Sequence, residues 1–189
     1  MLNAIELSVL GFSEVPDARN IGVVVLIEQG GERILTYITD ILTQKQIQCR
    51  KLLPERFLKH GIEVLTEVIG QLADWNDFKV EISDLNDGEY ICHLVASQPS
   101  IYQPIRMSDA LLLHLIKGVK LLIDSHLFAV ISQPYTGDEH QAYLPIDVLN
   151  NEQLEVQLER AVKEENYRLA ANIKKLLIQR IRKELDERS

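Results

Sequence analysis

The chain has 189 residues, 46% hydrophobic and 25% charged, a globular balance that excludes wholesale disorder and fibrous classes. Its formal net charge of −8 excludes a protein that grips nucleic acid through its whole surface, leaving only a local basic patch or a transient, enzyme-like contact. No apolar run approaches the roughly 20 residues of a membrane helix, and no basic region precedes an apolar stretch at the N-terminus. The expectation is a cytoplasmic protein without membrane contact, in which Cys49 and Cys92 are free thiols.

In chain order, Ile5, Leu7 and Val9 alternate with Glu6 and Ser8, a strand signal. A loop over Pro16–Asn20 leads to Gly22–Glu28, a β-branched run that predicts a strand buried on both faces. Gln29-Gly30-Gly31-Glu32 is a tight hairpin connection, and Arg33–Ile38 returns. Asp40 can cap a helix through Ile47. Pro54 fits the first turn of a second helix, whose apolar stripe is Leu58, Ile62, Leu65, Ile69 and Leu72, spaced by three and four.

The order then begins again. Phe78–Ile82 reads as a strand, Asn86-Asp87-Gly88 as a hairpin turn, Glu89–Ala96 as its return and Tyr102–Met107 as a third strand. Ser108 is the predicted cap of a helix over Asp109–Lys117, with Gly118 ending it. Short apolar pieces follow at Leu121–Ile123 and Phe128–Ile131. The reading is an α+β domain over residues 1–133, built from a duplicated β-β-β-α-α unit without obvious sequence identity. Residues 134–150 read as a linker containing His140, and 151–189 as two helices with stripes Leu154, Leu158, Ala161 and Ala170, Ile173, Leu177, Ile181. Asn166 is the natural cap of the second helix. Opposite charge on the two helices suggests an antiparallel hairpin, and stripes of this size need the first domain, a second copy or a partner.

The densest polar cluster is Arg106-Met107-Ser108-Asp109. Arg binds phosphate bidentately and a helix start favours anions, so the segment is a candidate phosphate site. Capping by Ser108, a dipole role for Asp109 and an Arg106–Asp109 pair explain the same residues structurally. Asp84, Asp87 and Glu89 offer hard oxygen ligands for magnesium, though a hairpin turn also wants Asp and Gly. The five histidines are scattered outside any zinc spacing, and His60, beside Lys59 and Glu63, is the one candidate general base. No phosphate-binding P-loop, dinucleotide fingerprint or serine-hydrolase elbow is present.

Residues 3–133 resemble the bifunctional nuclease (BFN) domain family through Gly31–Ile38, Ile82–Tyr90 and Ile105-Arg106-Met107-Ser108-Asp109-Ala110-Leu111. The last is similar to the family's Arg-Pro-Ser-Asp-Ala stretch, with Met107 in place of the proline. The family's Leu-Pro-Ile-Trp-Ile-Gly reads Leu35-Thr36-Tyr37-Ile38-Thr39-Asp40 here, and its His-Asp pair falls near Ile62-Glu63, with His60 two residues off. Residues 152–186 resemble the UVR motif, a helical hairpin that pairs with another hairpin and mediates protein contact. The segments that carry this are Leu154, Leu158, Ala161, Glu164-Glu165-Asn166-Tyr167, Ala170-Ala171 and Lys174.

The resemblance implies a nuclease acting on DNA and RNA by metal-assisted phosphodiester hydrolysis. Arg106, Ser108, Asp109, His60 and Glu63 are then the candidate catalytic residues, and Asp109, Asp84 and Asp87 the candidate magnesium ligands. It also implies a protein partner bound through residues 151–189, and the apolar stripes and strand edges invite homo-oligomers. The rival reading is a non-catalytic interaction or regulatory module.

Overall fold

A computed structural model describes residues 4–14, 20–98, 100–135, 137, 151–163 and 167–187. They divide into two compact units, one from residues 1–85 and 90–143 and one from 86–89 and 144–189. Together they hold an eight-stranded mixed sheet and six α-helices, a mixed α/β arrangement. No helix among the described residues is long and apolar enough to cross a membrane.

The first unit opens with an antiparallel meander of β1 (Ala4–Glu14), β2 (Ile21–Glu28) and β3 (Arg33–Asp40). Val23–Leu26 are at most 1% exposed, so β2 is covered on both faces as its β-branched run predicts. In β1 the pairing shifts between Val9 and Gly11. Lys51 Nζ donates to the carbonyls of Val9 and Leu10 at that bulge. Helix α1 (Ile41–Leu52) starts as predicted at Asp40, whose carboxylate accepts from the amides of Leu42 and Thr43 at 2.9 Å. Those bonds, the Thr43 hydroxyl foremost, hold the Asp40 carboxyl below its ordinary pKa.

The second helix departs from expectation. Pro54 opens only a 3-10 turn, Pro54–Phe57, and α2 (Gly61–Gly70) begins after His60. Of the apolar stripe, Leu58, Leu65, Ile69 and Leu72 are 39–84% exposed and Ile62 is half-buried, whereas Glu63 and Thr66 are buried. The cause is Arg50 on α1, which draws Glu63 inward through Nε–Oε1 at 2.5 Å and Nη2–Oε2 at 3.3 Å. Trp75 Nε1 donates to the Thr66 carbonyl at 2.9 Å and holds the same polar side inward.

Strands β4 (Phe78–Asn86) and β5 (Glu89–Ala96) meet at Asp87 and Gly88, both at positive φ (48° and 80°), as the Asp-Gly turn predicts. Strand β6 (Ile101–Ile105) pairs with β5, and α3 (Met107–Lys117) ends at Gly118 with φ 70°. Ser108 does not cap this helix, contrary to prediction. Arg106 is the cap residue, without a side-chain cap bond, and Ser108 is already in the first turn.

Strand β7 (Lys120–Asp124) pairs parallel with β4 and antiparallel with β1, which joins the two halves in the order β6-β5-β4-β7-β1-β2-β3-β8. Helix α4 (Ser125–Ile131) is capped by Asp124. The two-residue β8 (Gln133–Pro134) then pairs with β3, so the sheet continues past residue 133. The Tyr90 hydroxyl on β5 donates to the Thr36 carbonyl on β3 at 2.9 Å. These strands stand five places apart, about 24 Å in a flat sheet at ~4.8 Å per strand, so the sheet is strongly curled.

The second unit contains α5 (Asn151–Lys163) and α6 (Tyr167–Glu187), which bury Leu154, Ala161, Ala170 and Ile173. The Asn166 cap, His140 and most of the expected linker lie outside the described residues.

Gly22 supplies the clearest local test. A Cβ there would lie 2.5 Å from Gln44 Cβ and 2.9 Å from the Asp40 carbonyl oxygen, where β2 meets α1. Gly22→Ala is therefore expected to destabilise the fold by about 2 kcal/mol, as overpacking does, and to lower the urea midpoint at unchanged slope.

Candidate active site

The end of β6 delivers Arg106 to the first turn of α3, and backbone bonds from Asp109 and Ala110 to the Arg106 carbonyl, each 3.0 Å, fix that turn. Arg106 Nε meets Asp109 Oδ2 at 2.8 Å, and Nη2 meets Oδ1 at 3.3 Å. This fork holds the guanidinium pKa above its ordinary value and orients a side chain that is still 82% exposed. Tyr37 comes to the same corner from β3. Its hydroxyl interacts with those of Ser108 and Thr39, yet burial outweighs them and raises its pKa. The Tyr37 ring meets Tyr90 edge-on, with centroids 6.2 Å apart. Behind them, the buried Cys92 Sγ lies 3.7 Å from Met107 Sδ. The corner thus combines a guanidinium, two hydroxyls and the start of an eleven-residue helix, a set suited to an oxyanion.

Of the predicted site residues, Arg106, Ser108 and Asp109 come together, while the others have partners of their own. Asp84 Oδ1 accepts from the Leu85 amide at 2.8 Å, and Asp87 Oδ1 meets Arg180 Nη1 at 2.9 Å. His60 is exposed at the start of α2, its ring tilted 44° against that of Phe57 with centroids 4.9 Å apart. Glu63 is buried in its pair with Arg50 and is not poised as a base. The three acids expected as magnesium ligands are each engaged locally: Asp84 by the Leu85 amide, Asp87 by Arg180 and Asp109 by Arg106. Among the described residues no three potential His, Cys, Asp or Glu ligands gather.

Tyr37 is the member that sequence reading missed; β3 mixes Ile34, Leu35 and Ile38 with Arg33, Thr36 and Thr39, and no local signal singles Tyr37 out. A separate cavity of about 330 Å³ is lined by Lys79, Glu81, Ser83 and Asp124 among others. Its polar groups are already engaged: Lys79 with Glu81 at 2.8 Å, Ser83 with the Ile91 carbonyl, and Asp124 with the start of α4. Comparison with known protein families and with curated proteins finds no match for the chain.

Two titration results follow. Burial pushes the Cys92 thiol up to about 12 from 9.0, so a thiol reagent near neutral pH should modify half-buried Cys49 first and Cys92 only on unfolding. Equal rates at both would contradict this packing. Burial also raises the hydroxyls of half-buried Tyr37 and buried Tyr90. The folded chain then keeps protons that the unfolded chain releases above about pH 9, so this stability is complete at lower pH and lost as pH rises. Urea unfolding should therefore show a smaller free energy at about pH 11 than at about pH 8.

Proposed function

We propose that the chain is a BFN-type phosphodiester hydrolase acting on DNA or RNA, with its phosphate-binding corner at Arg106, Ser108, Asp109 and Tyr37. The observation that carries this reading is the exposed Arg106 braced by Asp109 beside two hydroxyls. Asp109 takes Nε and Nη2, so the Nη1 donors are left to meet a phosphate oxygen. The Ser108 and Tyr37 hydroxyls can donate to a second oxygen. Negative charge growing on the phosphoryl oxygens is then met by groups already oriented, which is where such sites gain most of their rate. The net charge of −8 suits brief contact with a short stretch of substrate rather than a broad grip. In the same reading the two β-β-β halves are a duplicated unit, and α5 and α6 form a UVR-like hairpin.

A second reading, an interaction or regulatory module binding its partner through residues 151–189, is favoured by one observation. After α5 and α6 have packed, Val156, Val162, Tyr167 and Ile178 still stand exposed.

The test is cleavage of single- and double-stranded DNA and RNA with magnesium, with manganese and with chelator. Arg106→Ala should lower the rate about 10²–10³-fold, as loss of one charge-stabilising donor does. Asp109→Asn should lower it about tenfold, because the guanidinium loses its brace but not its charge. Cleavage equal in both folded variants, or none from the parent chain, would remove the hydrolase reading in favour of the second.

A further inference from the structure

Strands β5 and β6 carry a second feature on the side to which Arg106 belongs. Their register sets His93 opposite Pro104 and Val95 opposite Tyr102, so these side chains share one face of the sheet. The other face is the covered one, with Tyr90, Cys92 and Ala96 buried. On the outward face the His93 and Tyr102 rings lie nearly parallel, 16° apart with centroids at 4.4 Å. The histidine takes one face of the tyrosine ring. Tyr102 is nevertheless 63% exposed, so its opposite face is open. Arg106 continues the strand in extended backbone, with φ −70° and ψ 146°. Tyr102, Pro104 and Arg106 therefore point the same way, at every second position.

We propose that Tyr102, backed by His93, is a stacking platform for an unpaired base of a single-stranded nucleic acid whose phosphate is held at Arg106. This rests on the phosphate reading of the Arg106 corner and adds the kind of strand that the corner accepts. An open aromatic face stacks on any base, which is how sequence-tolerant single-strand binding works. A sugar or a proline also packs on tyrosine, but neither brings a phosphate to an arginine four residues further on. The path between the two residues is free of acids. Strand β6 reads Ile-Tyr-Gln-Pro-Ile, and the β5 residues opposite it on the outward face are His93 and Val95. In a chain with 28 acids, that run lets phosphates lie down without a like charge beside them. Pro104 lacks the N–H that an added β-strand would use, which disfavours a peptide along this edge. Four residues at ~3.3 Å each set Tyr102 and Arg106 about 13 Å apart. A nucleic-acid strand advances only ~3.4 Å per nucleotide along a duplex axis. Base and phosphate therefore belong to different nucleotides, and the site takes an oligonucleotide. In a duplex each base is already paired and stacked, so it has no face to offer Tyr102.

The experiment is fluorescence-anisotropy binding of the full chain to an end-labelled single-stranded DNA, to its duplex and to an abasic strand of the same length. It is run in chelator, with strand integrity checked on a gel. The parent should bind the intact single strand more tightly than either of the others. Tyr102→Ala should weaken that binding about tenfold, as loss of one stacked base does, and leave the abasic strand and the salt dependence unchanged. Arg106→Ala should weaken both single strands and reduce the slope of log affinity against log salt by about 0.7. Tyr102→Trp should keep the affinity. Its added indole emission should be quenched by the intact strand and not by the abasic one, with the parent and its one tryptophan as reference. Undiminished binding by folded Tyr102→Ala, beside a loss in Arg106→Ala, overturns the platform and leaves the phosphate corner standing. Unchanged binding in Arg106→Ala, or none by the parent, overturns the corner and the proposal with it. Equal quenching of Tyr102→Trp by both strands overturns base stacking.

Discussion

The buried pair of Arg50 and Glu63 decides how the helical side of the first unit is built. Both side chains are under a tenth exposed, and every polar position of the guanidinium is used: Nε and Nη2 on Glu63, Nη1 on the Gln46 carbonyl and side-chain oxygens. The Phe57 ring lies 4.5 Å from the guanidinium carbon and closes the site from the 3-10 turn. Removing one partner of such a pair typically costs 3–5 kcal/mol, because the other charge is left buried without compensation. In the folded chain the pair keeps Glu63 on the inward side of this ten-residue helix. Once Glu63 is committed to the interior, helical periodicity sends Leu65, Ile69 and Leu72 to the surface.

This explains which parts of the fold were legible. The β2 run, the Asp87-Gly88 turn, the Asp40 cap and the Gly118 stop are fixed by neighbours within a few residues, and each appears where the sequence puts it. The stripe from Leu58 to Leu72 is equally clear as a period. A period says that one side is apolar but not which side the protein covers. That choice came from Arg50, thirteen residues before Glu63 and on another helix, a contact no local pattern encodes. The insertion of β7 between β4 and β1 was hidden for the same reason. Its five residues read only as a short apolar piece until both partners were known.

The candidate site divides in the same way. Arg106, Ser108 and Asp109 share one helical turn, so their proximity was readable, as was the pairing of Arg106 with Asp109. Tyr37 joins them from a strand nearly seventy residues earlier, brought there by the curl that also lets Tyr90 reach the Thr36 carbonyl. Sequence proximity misled in the opposite direction for Asp84 and Asp87. Two acids near a turn suggested a ligand set, but a turn spends its acids on its own backbone and neighbours, as the Asp84–Leu85 bond shows.

Helix α3 connects the two surfaces without coupling their chemistry. Its first turn holds Arg106, and its last residue, Lys117, reaches Glu67 on α2. The Lys117 ammonium holds the Glu67 carboxyl below its ordinary pKa, but Glu67 is largely exposed and the pair is open to screening by salt. Such a contact sets a register weakly and cannot hold a helix inverted against the hydrophobic effect. The inversion of α2 must therefore rest on the Arg50 clasp, which salt does not reach. It follows that ionic strength should disturb the Arg106 corner, whose groups face solvent, far more than the apolar face of α2, whose orientation is fixed from inside the fold.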